Sequence, residues 1–539
     1  MRKNYLLALV SAALLWLAWP PLPYTAPLLW VAFVPLLLAL EAVMRGNFEK
    51  KGSKVFWLGG LTGVLWNTAS IYWVFNAMNA VMPFYAAILV ALIPFGLAAF
   101  LMALAFRLYY QLRKRFSIGW SLTGLVCFWI AYEYLHQSWD LAFPWMTLGN
   151  GFAGTHQLVQ WYEYTGVYGG TAWIWAVNIL VFLSILSARD GFGRSRRLAL
   201  VSAAALLAVA PSAWSLWRYV TYEEHLNPSN VVVVQPNVDP YGKFSFISPE
   251  EQLENLIRLS DSVGQPNTEF FVWPETAIAH PPPGYDEAEF LQYPAFLRLQ
   301  AFLTPYRNGN ILSGIESYRV YGGPQTATAR SWGPHYLDVF NAAVLVENSA
   351  KLQFYHKSKL VAGVEQFPFG GTLAFMKPLF EQFGGTTGGY GRQDEPTVFY
   401  SQSGIGAAPV ICYESIWGDY VAQYIEQGAQ FIAIITNDGW WGNTAGKDQH
   451  LAYAKLRAIE TRRWVARAAN TGISAFINQR GDVVQQTQWW TPTAIKQDIN
   501  LNDELTVYVK TGDYVAYAGC GGSLFFALMM LIGLAKRKK

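Results

Sequence analysis

Three residues in the second half of this 539-residue chain have the types needed for nucleophilic attack on a carbonyl: Glu275, Lys357 and Cys412. A thiol attacks as the thiolate, so it needs a base nearby, and the oxyanion formed at the carbonyl needs a cation. Glutamate, lysine and cysteine supply those parts without histidine or metal. Their placement is suggestive. Glu275 follows Phe271-Val272-Trp273-Pro274, Lys357 follows Phe354-Tyr355-His356, and Cys412 follows Val410-Ile411. Each run reads as a short strand, and in layered α/β folds ligand sites assemble at strand ends. Cys412 is also the lone thiol of a polar stretch of about 300 residues, so it has no disulfide partner there. Cys127 and Cys520 sit in apolar runs.

Taken singly, each residue has a plainer reading. A strand-end cysteine can be a small packing residue, a glutamate after Trp-Pro can be a surface carboxylate, and Lys357 with Lys359 can be a solvated basic patch. The elements that must carry them therefore matter. Between about 215 and 513, β-branched and aromatic runs (231–234, 270–273, 343–346, 431–435) read as buried strands. The Glu/Leu pattern of 249–263 and the apolar periodicity of 446–469 read as helices between them. Strands alternating with helices predict an α/β layer structure with its own core. The glycine-rich stretch 370–395 reads as a long loop of the lid or binding type.

The remainder has a membrane composition. The chain is 53% hydrophobic and 14% charged, where soluble domains carry about a quarter charged residues. Apolar runs near 5–19, 26–43, 55–76, 82–108, 118–135, 166–187, 197–214 and 514–535 predict eight spans, a span needing roughly 20 apolar residues. Residues 1–19 also resemble a secretory signal, but Trp16, Trp19, Pro20 and Pro21 follow the core in place of a small-residue cleavage site. Retention as the first span is the expectation.

With the N-terminus inside, the inner loops and ends hold Arg2 and Lys3; Arg45, Lys50, Lys51 and Lys54; Arg107, Arg113, Lys114 and Arg115; Arg189, Arg194, Arg196 and Arg197; and Lys536, Arg537, Lys538 and Lys539. The short outer loops near 20–25, 77–81 and 136–165 hold no lysine or arginine. By the positive-inside rule this places 215–513 outside the cytoplasmic membrane, periplasmic in a bacterium, with both termini cytoplasmic. The expected organisation is a membrane domain of seven helices over 1–214, a catalytic domain over 215–513, and an eighth helix with a basic tail over 514–539. The aromatic loop 136–165 (Trp139, Phe143, Trp145, Trp161) reads mostly as an interfacial belt.

Four strings occur in order: Trp273-Pro274-Glu275, Tyr355-His356-Lys357, Ile411-Cys412-Tyr413-Glu414 and Thr436-Asn437-Asp438-Gly439-Trp440-Trp441-Gly442. Together they resemble the nitrilase superfamily, whose members hydrolyse or transfer acyl groups with a Glu-Lys-Cys triad on an α-β-β-α sandwich. Joined to eight spans, with Tyr72-Trp73, Phe143-Pro144-Trp145 and Gly166-Val167-Tyr168-Gly169 in the membrane half, the chain resembles the branch that acylates lipoproteins in the bacterial inner membrane. The resemblance implies Glu275 as general base, Cys412 as nucleophile, and Lys357 with a backbone N–H near Tyr413 as oxyanion stabilisers. It implies a phospholipid acyl donor, a diacylated apolipoprotein acceptor, a ping-pong route through a Cys412 thioester, and no cofactor.

Glu365, Tyr413, Glu414 and Trp440 carry over as accessory or substrate-binding positions. Two departures stand out. The family reads Leu-Val-Pro-Phe-Gly-Glu where this chain has Leu360-Val361-Ala362-Gly363-Val364-Glu365, and it favours tryptophan where this chain has Phe244. The position of Glu365 is therefore left to the structure.

Other classes are disfavoured. The seven histidines show no metal-ligand spacing, no phosphate-binding glycine loop is present, and no outward basic patch suits nucleic acid. A monomer is expected. Two rivals stay open at the level of residues: a membrane-tethered amidase or hydrolase in which water resolves the thioester, and a scaffold whose outer domain has lost its activity.

Overall fold

The computed structural model describes residues 1–80, 82–243, 247–278, 285–369 and 389–535. Phe244, most of the glycine-rich stretch and the tail from Lys536 to Lys539 lie outside them. The chain divides into two compact units, one of Met1–Thr221 with Thr511–Lys539 and one of Tyr222–Lys510.

The first unit is helical. Its helices include Arg2–Leu17, Val34–Arg45, Lys51–Ile71, Phe84–Arg113, Ile118–Leu135, Tyr162–Arg189, Arg194–Thr221 and Tyr514–Ala535. Among the described residues, five helical segments are long and apolar enough to cross a membrane: Ala26–Arg45, Phe84–Arg113, Tyr162–Arg189, Arg194–Thr221 and Tyr514–Ile532. Helix Arg2–Leu17 has 16 residues and reaches only about 24 Å, short of the roughly 30 Å of bilayer hydrocarbon. Small residues set the closest packing. A Cβ added at Gly59 would lie 2.5 Å from the Phe106 ring, and one at Gly63 would lie 3.1 Å from the Ala99 Cα. Glycines four apart thus let helix Lys51–Ile71 pack directly on Phe84–Arg113. The basic helix ends are paired: Glu41 accepts from Arg45 at 2.7 Å and from Arg113 at 3.0 Å, and Arg45 also meets Asp190. These ends of three helices therefore share one side of the unit.

The second unit is the expected α-β-β-α sandwich. In chain order its described strands are β1 (Pro228–Gln235), β2 (Thr268–Val272), β3 (Asn310–Tyr321), β4 (Arg330–Trp332), β5 (His335–Glu347), β6 (Leu352–His356), β7 (Phe399–Tyr400), β8 (Gly406–Ile411), β9 (Phe431–Thr436), β10 (Val465–Ala469), β11 (Ala475–Ile477), β12 (Val483–Gln486) and β13 (Thr493–Asn500). One sheet runs β13-β1-β2-β3-β5-β4 with β6 paired to β5, and the other runs β12-β11-β10-β9-β8-β7. The centres of both are parallel, β1-β2-β3 and β8-β9-β10. Parallel strands are covered on both faces, which is why Val231–Val234 is apolar throughout.

Alternation still sorts the sides. Val232, Val234, Phe271, Trp273 and Ile311 pack with Leu256, Leu259, Leu299 and Phe302 of the outer helices Pro249–Val263 and Pro294–Leu303. Phe270, one residue out of phase, meets Phe431 of the facing sheet at 5.0 Å. Pro249–Val263 starts where expected because Ser248 caps it, its side chain accepting from the Glu251 N–H.

The expected helix over 446–469 is corrected. The helix spans Ala445–Thr461 and ends at Arg462, whose φ of 50° is left-handed. Val465–Ala469 is then a buried strand between β9 and β11. Its alanines suit either element locally, and the pairing on both sides decides for the strand.

Candidate active site

Glu275 lies three residues beyond β2, on a turn pinned from three sides. The Gly314 N–H donates to the Pro274 carbonyl at 3.1 Å. A Cβ at Gly314 would fall 2.6 Å from the Glu275 Cα, so only glycine lets β3 approach this closely. Trp273 Nε1 donates to Ser260 Oγ at 2.9 Å, tying the turn to its covering helix. Thr276 takes a left-handed φ of 49°. The buried Lys243 ammonium donates to its hydroxyl at 2.9 Å and also to its carbonyl.

Lys357 follows β6 directly and is 1% exposed. Its ammonium donates to Glu275 Oε1 at 3.1 Å and to Glu365 Oε1 at 2.8 Å. The Asn341 amide bridges the same two oxygens at 2.7 and 2.8 Å. Despite the changed sequence before it, Glu365 is fixed on this cluster, its second oxygen accepting from the Val361 N–H at 2.8 Å. Burial opposes the Lys357 charge, but Glu275 and Glu365, with a smaller contribution from Cys412, outweigh it and hold its pKa well above the usual lysine value. The cation is fixed at any neutral pH.

Cys412 begins the turn after β8, buried and with a left-handed φ of 49°. That conformation is rare for a non-glycine residue and is strained. Burial pushes the thiol pKa up and Glu275 adds to it, while Lys357 and a hydrogen bond with Thr436 pull the other way. The resting group is a neutral thiol within the electrostatic reach of both Glu275 and Lys357, so its proton has to leave during attack.

The accessory positions separate. Tyr413 is buried, with its ring edge-on to Trp417 at 4.8 Å. Glu414 is fully buried and accepts from the Ile411 N–H at 2.8 Å, the Ser358 N–H at 2.7 Å and the Tyr355 hydroxyl. It joins the strand end bearing Cys412 to the one bearing Lys357. Trp440 is 39% exposed and meets Tyr241 edge-on at 5.2 Å.

Sequence reasoning missed Asn341 and Lys243. Asn341 had a signal, as an amide inside the apolar strand Phe340-Asn341-Ala342-Ala343. Lys243 is a lone lysine in a turn, with no local signal. Among the described residues no group of three or more His, Cys, Asp or Glu could hold a metal ion. A buried thiol beside a fixed ammonium and two carboxylates can attack a carbonyl, pass its proton to a carboxylate and hold the oxyanion near the cation.

Comparison with known proteins gives two family matches. The carbon-nitrogen hydrolase profile matches residues 231–505, and the profile of the apolipoprotein N-acyltransferase N-terminal domain matches residues 11–180. An apolipoprotein N-acyltransferase of Chlorobaculum tepidum is 28% identical, over 99% of this chain and 97% of its own. That of Geobacter metallireducens is 26% identical, over 98% and 95%. A solved carbon-nitrogen hydrolase superfamily protein of Xanthomonas campestris is 14% identical over 51% of this chain and 91% of its own, with a TM-score of 0.35.

Proposed function

The chain belongs to the carbon-nitrogen hydrolase family, and on that premise we propose that it transfers an acyl chain from a phospholipid to the N-terminal amine of a diacylated apolipoprotein. The observation that carries this reading is the union, in one chain, of the Glu275–Lys357–Cys412 cluster with an N-terminal helical unit matched by the apolipoprotein N-acyltransferase profile. Family membership alone is equally compatible with hydrolysis; the second match selects transfer.

In the first half-reaction Glu275 takes the thiol proton as Cys412 sulfur attacks the phospholipid ester carbonyl. A C–S bond forms, and the oxyanion is held by Lys357 and a backbone N–H near Tyr413. The ester C–O bond then breaks, and Glu275 returns the proton to the departing lysophospholipid oxygen. In the second half the lipoprotein α-amine attacks the thioester, a C–N bond forms, the C–S bond breaks, and the amine's proton returns to sulfur through Glu275. Ester to thioester to amide ends in the more stable bond, so no ATP is needed.

Glu365 and Asn341 keep Lys357 and Glu275 in register, Glu414 braces the two strand ends, and Trp440 with Tyr413 lines the lipid approach. No cofactor enters the scheme. We place the protein in the bacterial inner membrane, crossed by apolar helices of residues 1–214 and 514–539, with both termini cytoplasmic and 215–513 periplasmic as a monomeric catalytic domain. The charge split between loops supports that orientation. An active site held over the bilayer meets both lipid-anchored substrates at high local concentration.

The test is to incubate the membrane protein with acyl-labelled phospholipid, isolate label on Cys412, and chase with a diacylated lipopeptide. Label should pass from Cys412 to the peptide amine as an amide. Release only as free fatty acid would replace transfer with hydrolysis. Full activity of Cys412→Ser would exclude the thioester altogether.

A further inference from the structure

Behind the nucleophile lies a buried set of side chains that the acyl-transfer scheme does not use: Ser415, Asp438, His450 and Arg467. Each is at most 1% exposed. His450 stands on helix Ala445–Thr461, Asp438 follows β9 and Arg467 lies in β10. Ser415 Oγ lies 2.8 Å from His450 Nε2, and His450 Nδ1 lies 3.1 Å from Asp438 Oδ1. These spacings resemble a serine hydrolase triad, but the protons run the wrong way for one.

Ser415 Oγ–H donates to the Cys412 carbonyl at 2.8 Å, so toward His450 its oxygen is the acceptor. At the other ring nitrogen, Arg467 Nη2 lies 2.9 Å from Nδ1, and a guanidinium can only donate. Asp438 Oδ1 also faces Nδ1 but already accepts from Arg467, and with the guanidinium closer to Nδ1 the network assigns the ring proton to Nε2. Nε2–H faces Ser415 Oγ and the Cys412 carbonyl, 3.2 Å away. Asp438 accepts twice from Arg467, at 2.8 and 2.9 Å, and so anchors the far side of the ring. Burial lowers the His450 pKa, which keeps the ring neutral.

Two donors therefore converge on one carbonyl, that of the strained residue. A trans peptide is planar, with C=O and N–H on opposite sides. Fixing the Cys412 oxygen toward helix Ala445–Thr461 turns the Tyr413 N–H of the same peptide away from that helix. The same helix grips the turn again seven residues on, where Arg457 Nη1 donates to the Ile416 carbonyl at 2.7 Å. We propose that His450 is a positioning residue which, with Ser415, holds the Cys412 carbonyl so that the Tyr413 N–H is aimed as the backbone donor to the oxyanion. The inference rests on the acyl-transfer reading above. It adds which side chains set the direction of that donor.

The test separates an oxyanion donor from simple thiol reactivity. Acylation of Cys412 by p-nitrophenyl butyrate requires the donor whatever the natural acyl source, whereas alkylation by iodoacetamide requires only the sulfur. Both are read at Cys412 by mass spectrometry in the full-length protein. His450→Ala is expected to slow acylation by about a hundredfold, the scale of a lost or misplaced oxyanion donor, and to leave alkylation within about twofold. His450→Gln, whose amide can donate to the same carbonyl, is expected to recover most of the rate.

Unchanged acylation in His450→Ala overturns the inference. So does a parallel fall of acylation and alkylation, or a His450→Gln variant no faster than His450→Ala. If His450→Ala does not fold, Ser415→Ala removes one oxygen and faces the same criteria with a smaller loss. Failure of the wild-type protein to take an acyl group from phospholipid, while p-nitrophenyl butyrate still acylates it, would count against the lipid reading alone.

Discussion

Replacing Lys357 by methionine should convert the cluster into a proton-binding site whose effect on stability depends on pH. The Lys357 ammonium is the cation that Glu275 and Glu365 share, 3.1 and 2.8 Å away, with Asn341 bridging both oxygens. At an effective dielectric near 20, each contact is an attraction of about 5 kcal/mol. Against it stands the desolvation of all three groups, and breaking such a buried network by removing one partner costs about 3–5 kcal/mol net. With methionine, two carboxylates face each other without the cation, and the folded state relieves the repulsion by binding one proton between them.

The sign follows from linkage. The variant's folded state then binds more protons than its unfolded state across the neutral range. Its deficit relative to wild type should therefore grow as pH rises, by up to about 1.4 kcal/mol per unit. Thermal unfolding between pH 5 and 9 should give a midpoint about 6–10 °C below wild type at pH 8, on the scale of about 2 °C per kcal/mol for large domains, and a clearly smaller gap at pH 5. Lys357→Met/Glu365→Gln should flatten that difference. Wild-type and Lys357→Met curves running parallel from pH 5 to 9 would refute the account of one cation neutralising two buried carboxylates.

Three further outcomes follow from the same geometry. Glu414→Gln keeps the shape but replaces an acceptor facing the Ile411 N–H by a second donor; it should lower stability by about 1–3 kcal/mol in denaturant titration and slow acylation of Cys412. Burial raises the Asp438 pKa, but the Arg467 guanidinium outweighs it and the pKa is held down at about 2, so this carboxylate's contribution is present above pH 4 and lost as pH falls toward 2; the stability gap between wild type and Asp438→Asn should narrow by roughly 2 kcal/mol over that window. Lys243→Met releases the left-handed Thr276 turn behind Glu275; steady-state kinetics should show kcat lowered about ten- to a hundredfold with KM little changed.

The strands bearing Glu275, Lys357 and Cys412, and the helix Pro249–Val263, could be read from local pattern. Short β-branched runs, a Glu/Leu helical pattern and residues with acyl-transfer chemistry at strand ends are properties of neighbours in the chain. Helix Ala445–Thr461 was legible too, but not its end, because Val465–Ala469 becomes a strand only through pairing with β9 and β11. What sequence could not supply is convergence across long separations. Asn341 and Lys243 act on Glu275 from 66 and 32 positions away in the chain, and nothing beside them announces it. The placement of Glu365 on Lys357 despite an altered preceding turn depends on the Val361 N–H and the Asn341 amide, which a motif comparison does not contain. Residue types thus determined which chemistry was possible, since only a thiol, a carboxylate and an ammonium are required. Tertiary structure decided which carboxylates face the ammonium and which side chains hold the nucleophile's peptide, because those contacts arise only where two sheets and a helix meet.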